Sequence, residues 1–272
     1  MTSDKHITAA AIGARLDTRL VGSHIECLRT ATSTSDQARL YAQAGAPEGT
    51  VIIAEEQTAG RGRRGREWRS IPGQALTLSV LLRPLMPPSL CQHLSLLAAL
   101  GCCRAIQGLS GLAARPKWPN DVIVNQRKVG GVLVEMLAEA ERIEAAIVGI
   151  GINVKGTAAD LGDDLAGTAS TLEEQAGAPV SRLELACGVL QELDELYCAY
   201  CQQGPEPLLE MWRASDLCLG QWVRVTTEDR TIEGRAEGIT PEGCLLVVDS
   251  RGESLSLLAG DVTIRQLDGS HV

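Results

Sequence analysis

The sequence contains no phenylalanine, and aromatic residues make up only 3% of its 272 residues. The core must therefore be built mainly from Leu, Val, Ile and Ala, so each of the four tryptophans is conspicuous. Lysine is rare as well, since it occurs only at Lys5, Lys117, Lys128 and Lys155. Because lysine is so rare, a lysine within a cluster of other polar residues is better explained by a specific role than as one of many equivalent surface charges.

Long apolar runs and targeting signals are also absent. The N-terminus MTSDKHITAAAIGARL lacks the apolar stretch of a secretory signal, and we expect no segment to reach the roughly 20 apolar residues of a membrane span. The nine cysteines are an odd number, whereas disulfide frameworks belong to small secreted domains. The sequence therefore predicts a reduced, cytoplasmic protein without a membrane partner.

No set of metal ligands can be recognised in the sequence. The four histidines are scattered, and the CxxC pair formed by Cys198 and Cys201 has no second pair at a zinc-site spacing. The pair falls in a segment with a helical pattern, where cysteine as a small apolar residue is the better interpretation.

One loop is strongly basic in a chain of net charge −9. From residue 60 to residue 66, glycine and arginine alternate almost strictly. Glycine lets backbone N–H groups approach a ligand closely, and arginine offers planar donors that match phosphate or carboxylate. The loop therefore predicts a site for a small anion. A solvated basic loop and a nucleic-acid contact are the alternatives, and the second would need a wider basic patch than this acidic chain has.

A second polar cluster lies in the run KWPND and in the hairpin pattern after it. Lys117 and Lys128 flank the pair Asn120–Asp121. The ammonium groups of the lysines can bind oxyanions, and Asp121 can hold Mg²⁺. The Asn120 carboxamide can hydrogen-bond to the edge of a nucleotide base or take part in the coordination of a metal ion. Pro-Asn-Asp is also ordinary turn composition, and an isolated hairpin lysine is usually a solvated one.

The run GIGINV, residues 149–154, predicts a buried strand that ends near Asn153. Its glycines would let a ligand or another strand approach closely. It is not a dinucleotide fingerprint, because the third glycine and the following helix are missing.

Hydrophobic patterning predicts a protein with two parts. A first part, residues 1–215, mixes strands with helices, and a small β domain of short strands separated by turns follows as residues 216–272. Capping boxes are expected at Ser89–Gln92, opening a helix to about Ile106, and at Ser181–Glu184. Strands are predicted at residues 24–31, 49–57, 75–84 and 142–154, a hairpin of two strands at residues 121–137, and further helices at residues 10–20 and 32–45.

The motifs STS, EEQTAGRGRRGREW, KWPNDV, KVGGVLVE and GIGINV occur in this order. With the small β domain they resemble biotin protein ligase, biotin–[acetyl-CoA-carboxylase] ligase, from about residue 25 to the end of the chain. The resemblance implies an α/β (α+β) protein, with a mixed-sheet catalytic domain like that of class II aminoacyl-tRNA synthetases and an SH3-like C-terminal barrel. It also implies that biotin reacts with MgATP to biotinyl-5′-AMP, and that the biotinyl group then passes to a lysine of a carboxylase biotin carboxyl carrier domain. In this family the Gly/Arg loop orders over the adenylate.

The resemblance also implies roles for individual residues. By this resemblance, Lys128 and Arg63 are expected to be catalytic residues, and Asp121 is expected to bind the metal ion. The family usually has asparagine where this chain has Ser35, and often near Ala75, which leaves the contact pattern around Ser35 open. Contacts to biotin or the nucleotide are implied for Ser33, Thr34, Ser35, Gln57, Arg61, Gly62, Arg63, Trp68, Lys117, Asn120, Lys128 and Asn153.

Two other functions remain as alternatives. A lipoate ligase or octanoyl transferase shares the catalytic fold, but lacks the alternating Gly-Arg run. A nucleic-acid-binding protein would use the loop and the small β domain instead. Some relatives also carry a DNA-binding helix-turn-helix, and the roughly 30 residues before Ser33 are expected to be too few for one. We therefore expect a ligase, monomeric or homodimeric, without a nucleic-acid partner.

Overall fold

The structure, a computed structural model, describes residues 7–139, 142–165 and 167–264. His6 and His271 lie outside these residues. The nine cysteines all lie within them, and each is a free thiol.

A seven-stranded mixed sheet organises the first part of the chain. Its strand order is β1-β2-β3-β7-β6-β5-β4. Only β1 and β2 run parallel, and the other neighbours are antiparallel. The strands are β1 His24–Ala31, β2 Thr50–Gln57, β3 Ala75–Leu82, β4 Arg115–Lys117, β5 Asp121–Val124, β6 Arg127–Glu139 and β7 Arg142–Asn153.

Helices cover both faces of this sheet. On β2, Val51 and Ile53 enter the main core, whereas Ile52 faces Ala38 on the opposite side. This alternation follows from the two-residue period of a strand. All eight residues of β3 are buried, as expected for a central strand covered on both faces. The helices are α1 Ala9–Gly13, α2 Thr34–Gln43, α3 Gln92–Ser110, α4 Leu172–Ala176, α5 Arg182–Gln203 and α6 Glu206–Ser215.

The capping predictions have different outcomes. At α5, the Ser181 hydroxyl accepts a hydrogen bond from the Glu184 N–H, which is the N-cap half of the predicted box, while the Glu184 carboxylate lies 3.3 Å from Arg15 Nε. The prediction for Ser89 and Gln92 is wrong. A short 3₁₀ turn occupies Pro88–Leu90, and α3 begins at Gln92 after Cys91, without a side-chain cap. The proline-rich start favours the tighter turn, and α3 continues past Ile106 until Gly111 ends it with φ of 71°.

The expectation that no segment could span a membrane needs a correction at α3. Together with the preceding turn, Pro88–Ser110 is long and apolar enough by length and composition. Most of its side chains are buried inside the fold, where it packs against α5 and the sheet. Core helices of this kind pass the same test of length and hydropathy, because they too are apolar on most sides.

A five-stranded antiparallel sheet forms the C-terminal domain, in the order β11-β10-β9-β8-β12. On β9, buried and exposed side chains alternate over most of the strand, so one face of the sheet is packed. The strands are β8 Trp222–Thr226, β9 Thr231–Ile239, β10 Leu245–Val248, β11 Ser254–Leu257 and β12 Asp261–Ile264.

Candidate active site

One cavity of about 570 Å³ brings together all the ligand-contacting residues predicted from the sequence. It lies on the strands β5, β6 and β7, under the Gly/Arg loop, and the C-terminal domain contributes one wall. The predicted residues on its lining are Ser33, Thr34, Ser35, Gln57, Arg61, Gly62, Arg63, Trp68, Lys117, Asn120, Asp121, Lys128 and Asn153.

One end of the cavity is neutral, buried and polar. Ser33 caps α2 and accepts a hydrogen bond from the Ser35 N–H. The carboxamide oxygen of Gln57 accepts from the Thr34 N–H at 2.8 Å and from its hydroxyl at 3.1 Å. Ser79 on β3 donates to the Thr34 hydroxyl and lies 3.2 Å from the Ser35 hydroxyl. These partners fix the side chains before any ligand arrives.

Gly149 keeps the floor beside Ser35 open. A Cβ atom at this position would lie 2.8 Å from the Ser35 hydroxyl oxygen and 3.3 Å from the Leu133 carbonyl oxygen. Such an atom has no room unless the serine moves. The glycine of the GIGINV run therefore has the close-approach role that its sequence suggests.

The Trp68 indole lies against Gly151, the next glycine of the same strand. A Cβ on Gly151 would come within 2.4 Å of the indole ring, so only glycine leaves room for it. The indole Nε1 is buried and has no hydrogen-bond partner among the described residues. Because an unpaired buried donor costs free energy, this N–H is suited to an acceptor on a ligand.

The arginines of the Gly/Arg loop differ in their partners. Arg61 pairs with Asp36 at 2.5 Å and with Glu135 at 2.9 Å, and the first contact is the main cause that raises the pKa of Arg61. Arg64 and Arg66 both pair with Asp261 of the C-terminal domain. These contacts hold the loop at both ends and compensate most of its charge.

Arg63 is the exception within this loop. It forms no ion pair with any described residue, and its Nη1 donates to the carboxamide oxygen of Asn120 at 3.3 Å. Burial lowers the pKa of Arg63, although Asp121 and Asp261 act in the opposite sense. A half-buried guanidinium with a neutral partner favours an incoming anion, which would supply the missing countercharge.

Asn120 is itself held by the protein at both ends of its amide. Its Nδ2 donates to the Val132 carbonyl oxygen at 2.5 Å, and its oxygen accepts from Arg63. Its backbone oxygen accepts from the Val132 N–H at 3.0 Å. In this structure Asn120 thus orients Arg63, whereas its predicted contact with the nucleotide stays a prediction.

Lys128 and Asp121 form an ion pair with an Nζ–Oδ1 distance of 2.5 Å. Their strands, β6 and β5, are joined by a tight turn in which Asn125 and Gln126 have positive φ. The end of the Lys128 side chain passes close to Gly131, where a Cβ would lie 3.3 Å from Cε and 3.4 Å from Nζ. Lys128 therefore places its ammonium group in the cavity beside the carboxylate predicted to hold the metal.

Two further predicted residues each end a strand of the sheet. Lys117 is the last residue of β4 and is opposite Asp121 in the strand register. Asn153 is the last residue of β7, and its Nδ2 donates to the Ser170 carbonyl oxygen at 3.2 Å. Each reaches the cavity because its strand stops there.

Three parts of the site were not found in the sequence. Ser79 looked like one polar residue in an apolar strand, and only its contacts to α2 give it a role. Leu161, Leu165 and residues 167–169 line the cavity, and the Thr168 carbonyl oxygen accepts a hydrogen bond from the Lys128 N–H at 2.9 Å. The C-terminal domain adds Gly260, Asp261, Val262 and Thr263. No local pattern could reveal these long-range contacts.

Comparison with known proteins identifies the class of proteins to which this chain belongs. Residues 27–153 match the model of the Biotin/lipoate A/B protein ligase family, and residues 218–265 match the Biotin protein ligase C terminal domain. The chain is 36% identical over 237 residues to the Bifunctional ligase/repressor BirA of Bacillus spizizenii, which covers 87% of this chain and 73% of that protein. Within that class, the chain belongs to the biotin protein ligase family.

Solved structures are similar over nearly the whole chain. The biotin protein ligase from Aquifex aeolicus in complex with biotin and ATP has a TM-score of 0.76 at 28% identity, covering 90% of this chain and 99% of the other. The enzyme from Leishmania major in complex with biotinyl-5-AMP has a TM-score of 0.60 at 26% identity, with coverages of 87% and 99%. The predicted fold class, a mixed-sheet catalytic domain followed by a C-terminal β domain, is confirmed.

Proposed function

We propose that this chain activates biotin with ATP as biotinyl-5′-AMP and transfers the biotinyl group to a lysine of a carboxylase biotin carboxyl carrier domain. One observation carries the proposal: a single cavity joins a buried neutral hydrogen-bonding end to a cationic end. Biotin combines a neutral ring system with a carboxylate, and ATP brings phosphates. The two ends of the cavity match this pair of substrates.

In the first step, the biotin carboxylate attacks the α-phosphorus of ATP. A carboxylate–phosphorus bond forms, and the bond to the pyrophosphate leaving group breaks. Both reactants are anions that repel one another. Lys128 and Arg63 offset this repulsion and stabilise the charge that develops on the phosphoryl oxygens, because both are held in place before the reaction.

In the second step, the ε-amine of the acceptor lysine attacks the acyl carbon of the adenylate. A C–N bond forms, the acyl–oxygen bond to AMP breaks, and the amine proton is lost to solvent. The Gly/Arg loop protects the mixed anhydride from water while the acceptor docks. Its ion pairs with Asp36, Glu135 and Asp261 support this role, since they fasten the loop over the cavity.

Mg²⁺ is part of the proposal, and Asp121 is the residue that would hold it. The described residues contain no group of three or more His, Cys, Asp or Glu side chains for a metal ion. A single carboxylate nevertheless fits, because Mg²⁺ usually binds one or two carboxylates together with substrate phosphates and water. When bound, the ion would neutralise phosphate charge.

Some parts of the proposal concern the cell and the assembly. We place the enzyme in the cytoplasm, and nine free thiols suit a reducing compartment. We propose no nucleic-acid partner. A monomer and a homodimer are both compatible with the site, since every residue invoked comes from one chain.

The experiment is incubation of the protein with biotin, MgATP and a carrier domain, followed by intact-mass measurement of the carrier. We expect a mass increase of one biotinyl group, together with pyrophosphate release that depends on biotin. Lipoate in place of biotin is the control for the related ligases. Pyrophosphate release that lipoate alone stimulates would contradict the proposal.

A further inference from the structure

Hydrogen bonds to the junction between the two domains fix the position of the segment that contains Lys117, Asn120 and Asp121. Asp216 follows α6 and is 4% exposed. Its Oδ2 accepts a hydrogen bond from the Trp118 N–H at 2.9 Å, and its Oδ1 accepts from Cys218 at 2.7 Å and Leu219 at 3.1 Å. One buried carboxylate thus joins the KWPND run to the chain that enters the C-terminal domain.

Other contacts tie Trp118 and its neighbours to the same junction. The Trp118 side chain is fully buried, and its Nε1 donates to the Gly243 carbonyl oxygen of the C-terminal domain at 3.1 Å. The Leu217 N–H donates to the Pro116 oxygen at 3.0 Å. Arg115 donates to the backbone oxygens of Ser215 and Asp216. The position of residues 115–118 therefore depends on the junction.

Asp216 suits this task because it accepts hydrogen bonds in its ionised form. Burial raises the pKa of Asp216 to about 6, while the N–H groups of Cys218, Trp118 and Leu219 and the charge of Arg115 lower it. The carboxyl group is therefore ionised in mildly alkaline buffer, and both of its oxygens are acceptors.

The cationic end of the cavity is built directly on this segment. Asn120 binds Arg63, Asp121 binds Lys128, and Lys117 precedes Trp118 in the chain. The neutral end is built on α2 and β3, and among the described residues the side chains of Ser33–Ser35 hydrogen-bond within that segment, to Gln57 and to Ser79. A shift of Trp118 would displace the groups that meet phosphate and leave the Ser33–Ser35 end unchanged.

We infer that Asp216 is a positioning residue of the ligase reaction, which fixes the KWPND run and so sets the geometry of the nucleotide end of the site. The inference rests on the proposed function. Asp216 does not touch the substrates. It acts through the Trp118 backbone on the side chains that line the cavity.

Asp194 offers a matched control on α5. It is 5% exposed, and it also accepts three backbone hydrogen bonds, one on Oδ2 from Arg19 and two on Oδ1 from Leu20 and Val21, at 2.8–2.9 Å. It has the same chemistry and burial as Asp216, but none of its partners lines the cavity. Replacement by asparagine places an NH₂ group against an N–H group in either case.

The experiment compares Asp216→Asn with Asp194→Asn and the unmodified protein. Both variants should lose thermal stability, because each leaves a buried backbone N–H without its acceptor. At a temperature well below both transitions, Asp216→Asn should raise the KM for ATP at least tenfold, while the Kd for biotin stays within twofold. Asp194→Asn should leave both constants unchanged. Hydrogen exchange by mass spectrometry should show faster exchange at Trp118 in Asp216→Asn alone.

Three results would overturn the inference, and they are distinguishable. If the unmodified protein shows no biotin-dependent pyrophosphate release, the proposed function fails and takes the inference with it. If that release is normal but the KM for ATP is the same in both variants, Asp216 is structural only. Equal losses of biotin and ATP binding in Asp216→Asn would indicate general damage. Should Asp216→Asn fail to fold, Asp216→Glu against Asp194→Glu gives the same comparison, since glutamate shifts the acceptor without removing it.

Discussion

The two ends of the cavity are built on different physical principles. At the neutral end, Ser33, Thr34 and Ser35 are buried, and their hydroxyl groups already have protein partners. At the cationic end, Lys128 and Asp121 are partly exposed, and Arg63 lacks a charged partner among the described residues. The hydrogen bonds of the neutral end form without a ligand, whereas at the cationic end the Arg63 charge has no ion pair among the described residues.

This difference assigns separate tasks to the two ends. A network of satisfied hydroxyl groups changes little when a ligand binds, so it is suited to recognising shape and a few hydrogen bonds. A half-buried cation without an ion pair among the described residues, such as Arg63, gains most when an anion arrives and when charge develops during the reaction. We therefore expect variants at the neutral end to affect biotin affinity, and variants at the cationic end to affect the rate.

The largest effect is expected for Lys128→Gln. Loss of the ammonium group should slow adenylation by about a hundred- to a thousandfold, as for other preorganised electrostatic groups, and Lys128→Arg should recover only part of the rate. The fold should survive, because an exposed ion pair with Asp121 contributes about 0–1 kcal/mol. Single-turnover pyrophosphate release measures the rate, and Arg127→Gln is the neighbouring control. Equal, near-normal rates in both variants would remove Lys128 from the chemistry.

A smaller effect is expected for Arg63→Ala. The variant should lose about 1.5–3 kcal/mol of affinity for the adenylate, the range for a charge-assisted hydrogen bond, and this loss should exceed the slowing of adenylate formation. Leakage is measured as biotinylation of a bystander protein. Arg224→Ala is the control, because Arg224 pairs with Glu233 on the C-terminal domain and does not line the cavity. Retention as tight as in the unmodified protein would place Arg63 outside the site.

The neutral end is tested by Gly149→Ala. The added Cβ atom would meet the Ser35 hydroxyl at 2.8 Å, and overpacking of this kind costs about 1–3 kcal/mol. Titration calorimetry should show weaker biotin binding with unchanged ATP binding. Gly238→Ala on β9, where a Cβ meets nothing within 4 Å, is the matched control. Weaker binding of ATP with normal binding of biotin would contradict the division of the cavity.

The smallest expected effect concerns DNA: we expect the protein not to bind the operator DNA that a repressor would recognise. The chain carries a net charge of −9, and Arg61, Arg64 and Arg66 are already paired with carboxylates, so little positive charge is available for a phosphate backbone. A gel shift at physiological salt, with and without biotin and ATP, measures this. A sequence-specific complex that requires biotin would show that the Gly/Arg loop is not dedicated to small anions.

Local patterns predicted much of the fold. The β5–β6 hairpin, the buried strand β7 and the start of α5 at Ser181 follow from β-branched runs, turn residues and a cap. The start of α3 was wrong, since the prolines before it form a tighter turn than the pattern of apolar residues indicates. Helix α6 was not predicted, although it leads into the junction at Asp216.

The sequence by itself determined the chemical inventory of the site: the arginine–glycine loop, the two lysines, Asp121 and the glycines of β7. Residue type and short spacing carry this information, because turns, strand period and charge act over a few residues. Only the tertiary structure decided which charges are compensated. Asp261 lies almost 200 residues from Arg64 and Arg66, and Asp216 lies 98 residues from Trp118. Such partners meet only when the sheet and the C-terminal domain pack, and burial then fixes which hydrogen bonds and ion pairs must form.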